Sequence, residues 1–407
     1  MERLEDSSIT AVPGFLAAGV HCGLKSAGEK DLALILSSVP CRAAGVFTAN
    51  RVKAAPVLYD QEVLARNPHS LRAVVINSGC ANACTGKRGL QDARKMAELV
   101  AKTLNLPKGE LPPVLVMSTG VIGKHLPMEK IAAGIEEASA RLSPEGGHDA
   151  ARSIMTTDTR PKEAALRLEL DGATFTIAGM AKGAGMIHPQ MATMLSLIVT
   201  DAAISTGALQ NALRQAVEVS FNMVTVDGDT STNDTVLILA NGLAGNPEIA
   251  RENSPGYRAF KDGLIQVATD LSKMIARDGE GATKFVEINV HGAPSFVAAR
   301  QAAKAIANSP LVKTALYGED ANWGRVLAAV GYSGVEIDPD RLALWFGDLQ
   351  LVKGGQPFNV DEARAKAILS HKDISITVDL GLGPAQATVW TCDLSHEYVS
   401  INAHYRT

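Results

Sequence analysis

The segment AKGAGMIHPQMATMLSLIVTDA, Ala181 to Ala202, is the stretch from which the rest of the chain can be interpreted. It opens with a glycine-rich turn that also contains a proline. It then runs through Ala192–Thr193 into the apolar residues 194–200, which we predict to form a buried strand. A small residue, a threonine and an apolar strand in this order suit a chain that cuts its own backbone before Thr193.

The chemistry of threonine explains why such a cut would matter. A threonine hydroxyl is a weak nucleophile until a base takes its proton. Cleavage before Thr193 would give that residue a free α-amine, whose pKa of about 7.7–8.0 lets it act as the base near neutral pH. The cut would therefore create the nucleophile and its base together. For the threonine alone, the alternative of an ordinary residue opening a core strand stays open.

Composition limits the possible classes of protein. The 407 residues are 46% hydrophobic and 20% charged, which is typical of a soluble globular protein with two to three domains or one large layered unit. A formal net charge of -4, no basic cluster and only 4% aromatic residues argue against nucleic-acid binding.

Location can also be predicted from the sequence. No apolar run approaches the roughly 18 residues that span a bilayer. The acidic start, MERLEDSSIT, lacks the features of a signal or transit peptide, so we predict a cytoplasmic protein with no membrane partner. An odd, scattered set of cysteines suits a reducing compartment better than a disulfide framework: Cys22, Cys41, Cys80, Cys84 and Cys392.

Helical and strand patterns alternate in both halves of the chain, which predicts an α/β fold with sheets inside and helices outside. No compositional break occurs at residue 193, so we expect both sides to share one core. Residues up to about 31 are turn-rich, and 143–150 are predicted to be a loop. Strands are predicted at 33–37, 73–77, 114–117, 173–178, 235–240, 285–290, 374–380 and 387–392, and helices at 93–104, 127–142, 209–217, 257–275 and 299–307.

The segment KGAGMIHPQMATML, Lys182 to Leu195, resembles the signature of the ornithine acetyltransferase family, also called bifunctional glutamate N-acetyltransferases. Other segments resemble further blocks of this family, in the same order, so the resemblance covers essentially the whole chain. These are NSGCANACTG (77–86), STGVIG (118–123), MTTDT (155–159), FNMVTVDGDTSTNDT (221–235), DGEGATK (278–284), YGEDANWGR (317–325) and YVSINAHYRT (398–407).

The resemblance implies a fold and an assembly. The fold is a layered α/β/β/α sandwich resembling N-terminal-nucleophile enzymes. Self-cleavage between Ala192 and Thr193 would give two intertwined fragments, 1–192 and 193–407. Two copies of each fragment would associate into a heterotetramer.

The resemblance also implies an activity. The acetyl group of N2-acetylornithine passes to glutamate through an acetyl ester on Thr193, as a step of arginine biosynthesis. The transfer needs no cofactor and no metal. Some family members also accept acetyl-CoA as a donor, and the sequence leaves that co-substrate open.

Ser118-Thr119-Gly120 follows a predicted strand. A hydroxyl and a backbone N–H at this position could face a developing oxyanion, a contact worth about 2.7–4 kcal/mol of barrier. The residues alone also fit a polar turn between a strand and a helix. The resemblance implies that Thr119 and Gly120 form the oxyanion hole.

Two charged residues lie in glycine-rich segments. Lys182 could bind an anionic group, although a single loop lysine is usually solvated. Glu280 lies between two glycines, which allow close backbone approach, and its carboxylate could pair with an ammonium; an exposed glutamate in a helix-ending turn is the alternative. The resemblance implies substrate binding by Thr156, Lys182, Thr193, Glu280, Asn402 and Thr407.

The sequence offers no convincing metal site, and two other functions stay open. The acidic run 227–234 has Ile238 at the twelfth position, where a calcium loop needs a glutamate, so a polar turn lining the site is preferred. Cys80 and Cys84 have no histidine partners for zinc, and His188 is assigned no catalytic role. A hydrolase with the same nucleophile and a non-enzymatic binding protein with an uncut chain remain alternatives.

Overall fold

The computed structural model describes residues 1–26, 28–170, 172–188, 194–358 and 361–404. It divides the chain into two compact units. The first unit comprises Met1–Gly183, Gln190–Asn222 and Asp229–Leu271, and the second comprises Ala184–Pro189, Met223–Gly228 and Ser272–Thr407. The predicted fragments 1–192 and 193–407 divide the chain differently, and their boundary stays a prediction.

The first unit holds the elements of the chain up to residue 271. Its strands are β1 (Glu2–Arg3), β2 (Phe15–Val20), β3 (Leu32–Phe47), β4 (Leu71–Asn77), β5 (Val114–Ser118), β6 (Lys162–Leu170), β7 (Ala173–Lys182), β8 (Leu195–Thr200) and β9 (Thr235–Ala240). Its helices are α1 (Ala55–Arg66), α2 (Gly86–Thr103), α3 (Met128–Ala140), α4 (Gly147–Ser153), α5 (Thr206–Val219) and the first part of α6 (Pro255–Arg277).

The strands form two sheets that share the long strand β3. Its first part pairs with β2 and β4, its last part pairs with β9, and the register shifts between Leu36 and Cys41. Sheet A is therefore β1-β6-β7-β8-β9 with the end of β3, and sheet B is β2, the start of β3, β4 and β5.

Apolar side chains of both sheets share one core. Met180 and Leu197 of sheet A and Val74 and Val116 of sheet B belong to the same buried cluster, and none of the four is more than 1% exposed. Residues from before and after position 193 therefore contribute to one hydrophobic core, since Leu197 follows that position and the other three precede it.

Helices cover the outer faces of the two sheets. A methyl group on Gly179 of β7 would contact Leu271 and Val267, which places α6 against the outer face of sheet A. On the outer side of sheet B, the Tyr59 hydroxyl of α1 donates to the Val114 carbonyl at 3.3 Å. The predicted α/β/β/α arrangement is thus confirmed within the first unit.

Strand β8 is the strand predicted to follow Thr193, and the structure confirms it. It lies inside sheet A, antiparallel to β7 with Leu195 opposite Lys182, and parallel to β9 with Leu195 opposite Thr235. All six of its residues are buried. The start of β8 is therefore fixed by neighbours on both sides.

The second unit contains a mixed sheet of order β13-β12-β11-β14-β10-β15. In it, β10 is parallel to β14 and antiparallel to β15. The strands are β10 (Phe285–Ala293), β11 (Ala343–Phe346), β12 (Leu349–Lys353), β13 (Gln356–Pro357), β14 (Asp373–Asp379) and β15 (Ala385–Cys392). The helices are α7 (Phe296–Ala307), α8 (Pro310–Tyr317), α9 (Trp323–Gly331), α10 (Glu362–Leu369) and α11 (His396–Ala403).

Two elements differ from the sequence-based expectation. The turn-rich start contains β2, and the predicted loop 143–150 contains the beginning of α4. The glycines that suggested turns are packing contacts, because a side chain on Gly19 would come within 2.1 Å of the Asp149 carbonyl and one on Gly146 within 1.9 Å of the Ala17 carbonyl. Close packing of α4 on β2 therefore requires glycine at both positions.

Candidate active site

The turn that follows β5 carries the predicted oxyanion residues. The Thr119 N–H donates to the Asn77 carbonyl at 3.0 Å, and the Val121 N–H donates to the Gly79 carbonyl at 3.4 Å. Between them, the Gly120 N–H has no hydrogen-bond partner among the described residues. An oxyanion hole needs such an N–H, held in place and left free for the substrate.

Glycine is required at position 120. Its φ of 127° lies in the region that side-chain-bearing residues rarely adopt. An added Cβ would also lie 2.4 Å from the Gly79 carbonyl carbon and 2.6 Å from the Cys80 nitrogen. The backbone of this turn is therefore packed against residues 79–80.

Asn233, just before β9, fixes the same turn. Its side-chain amide donates to the Ala81 carbonyl at 2.7 Å and to the Ser118 carbonyl at 2.8 Å. The Ser118 hydroxyl in turn donates to the Asn77 side chain at 2.6 Å. Sequence reasoning placed Asn233 only in a polar turn lining the site, because its partners lie far away along the chain.

Lys182 ends β7 and is buried, with 3% of its surface exposed. Its ammonium lies 3.3 Å from the Thr119 hydroxyl, to which it donates. The alternative of a solvated loop lysine is therefore wrong. Two predicted site residues, Lys182 and Thr119, are in direct contact within the first unit.

Asp158 connects the segment after Lys182 with Thr156, and this role was not predicted from the sequence. Its carboxylate accepts hydrogen bonds from the Lys162 ammonium at 2.6 Å, from the Gly183 N–H at 2.7 Å and from the Thr156 N–H at 2.9 Å. Thr156 is thereby held on the same carboxylate as the residue that follows Lys182. The Thr156 hydroxyl has no hydrogen-bond partner within the described part of the chain.

The charge of Asp158 is set by its surroundings. Burial alone would raise the pKa of this carboxyl, but the ammonium groups of Lys182 and Lys162 and the hydrogen bonds it accepts lower the pKa to about 2. Asp158 is therefore ionised between two buried lysines. We call Asp158, Lys162 and Lys182 the lysine cluster.

In the second unit, Glu280 and Asn402 are also in contact. The Asn402 side-chain amide donates to the Glu280 carboxylate at 2.7 Å. Glu280 is only 7% exposed, so the alternative of an exposed glutamate is wrong. Its N–H donates to the Ala184 carbonyl at 2.9 Å, and a Cβ on Gly185 would lie 2.3 Å from its carboxyl carbon. The glycine-rich motif is therefore shaped around this carboxylate.

Asp227 holds the backbone of Met186 and Ile187, the next residues of the same glycine-rich motif. Its two carboxylate oxygens accept the N–H groups of Met186 at 2.5 Å and of Ile187 at 2.9 Å. The Tyr398 hydroxyl donates to the same carboxylate at 3.3 Å. Met186 has a positive φ of 56°, which is uncommon for a residue with a side chain. The acidic run that resembled a calcium loop thus contributes a carboxylate that binds backbone N–H groups.

Asp234 contacts the beginning of the chain segment that follows the predicted cut. Its carboxyl accepts the Met194 N–H at 3.0 Å and is completely buried. Burial raises the pKa of this carboxyl well above its usual value, although the hydrogen bond from the Met194 N–H and the charge of Lys182 act to lower it. Ala192, Thr193 and Thr407 lie outside the described residues, so their predicted roles stay predictions.

Within the described ranges, no group of three or more His, Cys, Asp or Glu side chains could hold a metal ion. The same residues include no helix that is both long and apolar enough to cross a membrane.

Residues 16–407 match the ArgJ family. The chain belongs to this family. The arginine biosynthesis bifunctional protein ArgJ of Symbiobacterium thermophilum is 57% identical over 405 residues, covering 98% of each chain. That of Thermotoga neapolitana is 53% identical over 398 residues, covering 97% of this chain and 99% of its own.

A solved structure is also similar. The arginine biosynthesis bifunctional protein of Bacillus halodurans is 45% identical, with a TM-score of 0.51, and the match covers 52% of this chain and 99% of the other. The family predicted from the sequence motifs is confirmed by these comparisons. The assignment to the bifunctional enzymes of arginine biosynthesis is confirmed at the level of the family.

Proposed function

We propose that the chain cuts itself before Thr193 and transfers the acetyl group of N2-acetylornithine to glutamate through an acetyl ester on Thr193. Membership of the ArgJ family and the names of its relatives support a role in arginine biosynthesis. The observation that carries the mechanism is the Gly120 N–H, which has no hydrogen-bond partner among the described residues, next to Thr119, whose hydroxyl accepts from the Lys182 ammonium.

The first stage is cleavage. The Thr193 hydroxyl oxygen attacks the Ala192 carbonyl carbon, the peptide C–N bond breaks, and the nitrogen takes up the proton that the hydroxyl loses. Water then hydrolyses the resulting ester and releases fragments 1–192 and 193–407. The solved relative supports this stage, since a chain matched over 99% of its length by 52% of this one has the size expected of a single fragment.

The second stage is a two-step acyl transfer. The Thr193 α-amine takes the hydroxyl proton while the oxygen attacks the acetyl carbonyl. The Thr119 hydroxyl and the Gly120 N–H stabilise the oxyanion, and ornithine leaves with the proton. The glutamate amine then attacks the acetyl ester by the same route. The transfer requires no cofactor or metal, and acetyl-CoA, where used, would acetylate Thr193 in the first step.

The charged residues are assigned by the charges of the substrates. Lys182 binds a substrate carboxylate, and Glu280 binds the side-chain ammonium of the ornithine part. Thr156, Asn402 and Thr407 complete the proposed substrate contacts. The assembly is a cytoplasmic heterotetramer of two copies of each fragment, as the resemblance implies.

A denaturing gel tests the cleavage. The 42.8 kDa wild-type chain should give two bands of about 20 and 23 kDa, in proportion to the fragments 1–192 and 193–407. Thr193→Ala should give one full-length band. A single full-length band for the purified wild-type protein would contradict the proposal.

An assay with and without glutamate tests the transfer. Sustained release of ornithine from N2-acetylornithine should require glutamate, because the acetyl ester has no other acceptor in the proposed cycle. A hydrolase with the same nucleophile would release ornithine equally fast without glutamate, and that outcome would exclude the transferase.

A further inference from the structure

Asp234, in the residue pair Asn233–Asp234 that precedes β9, has a carboxyl group with only one oxygen in use. The side chain is 0% exposed, and one oxygen, Oδ1, accepts the Met194 N–H at 3.0 Å. The other oxygen, Oδ2, is buried and has no hydrogen-bond partner among the described residues. A buried polar atom without a partner is unfavourable and uncommon in a native protein. Asp234 Oδ2 therefore suits a donor that lies outside the described residues.

Covalent geometry brings one such donor within reach. The Met194 nitrogen is bonded to the carbonyl carbon of residue 193, so the α-nitrogen of residue 193 is only three bonds away, whatever that residue's conformation. In the uncut chain this nitrogen is a peptide N–H. After cleavage it becomes an amine with additional protons to donate.

We propose that Asp234 is a positioning residue for the nucleophile: one oxygen anchors Met194, and the other accepts a hydrogen bond from the Thr193 α-amine after cleavage. This inference rests on the proposed self-cleavage before Thr193. When the amine takes the hydroxyl proton it becomes an ammonium, and its positive charge lowers the pKa that burial has raised, so that the ionised Asp234 carboxylate pairs with the ammonium. No bond to Asp234 forms or breaks.

The surroundings of Asp234 fit this role. The charged side chain that acts on it within the described part of the chain is Lys182 at the end of β7, and its positive charge favours the ionised carboxyl. The preceding residue, Asn233, holds the turn of Thr119 and Gly120. Asn233 thus fixes the turn of Thr119 and Gly120, and the adjacent Asp234 fixes the residue before β8.

The chain offers a matched control in Asp60 of α1. Asp60 is also 0% exposed, one of its oxygens accepts the Val116 N–H at 2.8 Å, and its other oxygen has no partner among the described residues. Burial raises the pKa of both carboxyls well above the usual value. Asp60 instead joins α1 to β5, so Asp60→Asn and Asp234→Asn make the same chemical change at two different places.

The experiment measures the pKa of the Thr193 α-amine in cleaved wild-type protein and in both variants, by amine labelling at different pH values and mass spectrometry of fragment 193–407. Loss of the carboxylate should lower the amine pKa in Asp234→Asn by about one unit, because an opposite charge favours the ammonium. The acidic limb of kcat/KM should move to lower pH by the same amount. The kcat should fall about tenfold or more, while Asp60→Asn keeps the wild-type values.

An Asp234→Asn chain that stays uncut, when Asp60→Asn is cut and both have similar Tm values, overturns the proposal, since asparagine keeps an oxygen for the Met194 N–H and the carboxylate would then act before the amine exists. An unshifted amine pKa in Asp234→Asn overturns it, and so do equal effects of the two substitutions. Failure of the proposed function itself would be seen in the wild type, as an uncut chain or absent acetyl transfer.

Discussion

The lysine cluster of the first unit and the Glu280–Asn402 pair of the second solve the problem of a buried charge differently. In the lysine cluster, a carboxylate and two ammonium groups are buried together, and Asp158 is held ionised by its neighbours. Glu280 has the neutral Asn402 amide as its side-chain partner and no salt bridge within the described residues.

This difference supports the substrate group proposed for each region. A buried carboxylate is stabilised most by a cation, so Glu280, held by an amide, is suited to an incoming ammonium. Lys182 is positioned by an existing carboxylate and contacts Thr119, so it is suited to a negative charge on or near the reacting group. N2-acetylornithine carries both kinds of group, whereas the side chain of glutamate carries only a carboxylate.

The largest effect should come from removing the ammonium of the lysine cluster. Lys182→Met keeps the chain length but leaves Thr119 without its cationic neighbour, so both half-reactions should lose about 10²–10³-fold in kcat/KM. Single-turnover acetylation and deacetylation rates provide the measurement. Lys130→Met, which changes an exposed lysine that donates to the Gly23 carbonyl, serves as the control. If kcat/KM fell in only one half-reaction, Lys182 would not act on a group that both substrates share, and the assignment of Lys182 would be wrong.

Asp158 predicts a pH dependence of stability. Its pKa is lowered from 3.8 to about 2, so its contribution is present above pH 3.8 and is lost as the pH falls through about 2. The contribution is about 2 kcal/mol. The difference in unfolding free energy between the wild type and Asp158→Asn, measured by urea titration, should therefore shrink as the pH falls from 5 to 2.

A carboxyl of opposite behaviour gives the control for this measurement. Burial raises the pKa of Asp201, although the carboxyl accepts the Thr176 N–H at 2.7 Å. Its contribution is thus present at low pH and declines as the pH rises through the raised pKa. The difference in unfolding free energy between the wild type and Asp201→Asn should therefore shrink as the pH rises. If this difference changed with pH in the same direction for Asp201→Asn and Asp158→Asn, both assignments would be contradicted.

Glu280→Gln should separate the two substrates. Removing the charge while keeping the shape should raise the KM for N2-acetylornithine about tenfold, since a charge-assisted hydrogen bond is replaced by a neutral one. The KM for glutamate should not change, because its side chain carries no ammonium. Steady-state kinetics with each substrate varied measures the effect, and an unchanged KM for N2-acetylornithine would exclude the pairing.

The two regions were not equally predictable from the sequence. Strands with continuous apolar runs, such as β4, β5 and β9, were predicted because buried strands have that composition. Lys182 and Glu280 were identified through their motifs. Asp158 was not, because its partners Lys162 and Gly183 come together only when β6 pairs with β7.

Asn233 shows the same limit over a longer distance. Its two acceptor carbonyls belong to residues 152 and 115 positions away, and no local pattern indicates such contacts. Asn402 meets Glu280 because the last helix, α11, brings it there. Sequence periodicity reports which side of an element is buried, but it does not report which polar groups become neighbours.

The smallest effect should come from a methyl group added beside Glu280. In Gly185→Ala the new Cβ would lie 2.3 Å from the Glu280 carboxyl carbon, so the carboxylate must move away. The KM for N2-acetylornithine should rise several-fold, less than in Glu280→Gln, because the charge is retained but displaced. Gly207→Ala is the matched control, since nothing lies within 4 Å of a Cβ at that position. Equal KM values for the two alanine variants would show that binding does not depend on where the carboxylate lies, and the contrast between the two regions would then rest on charge alone.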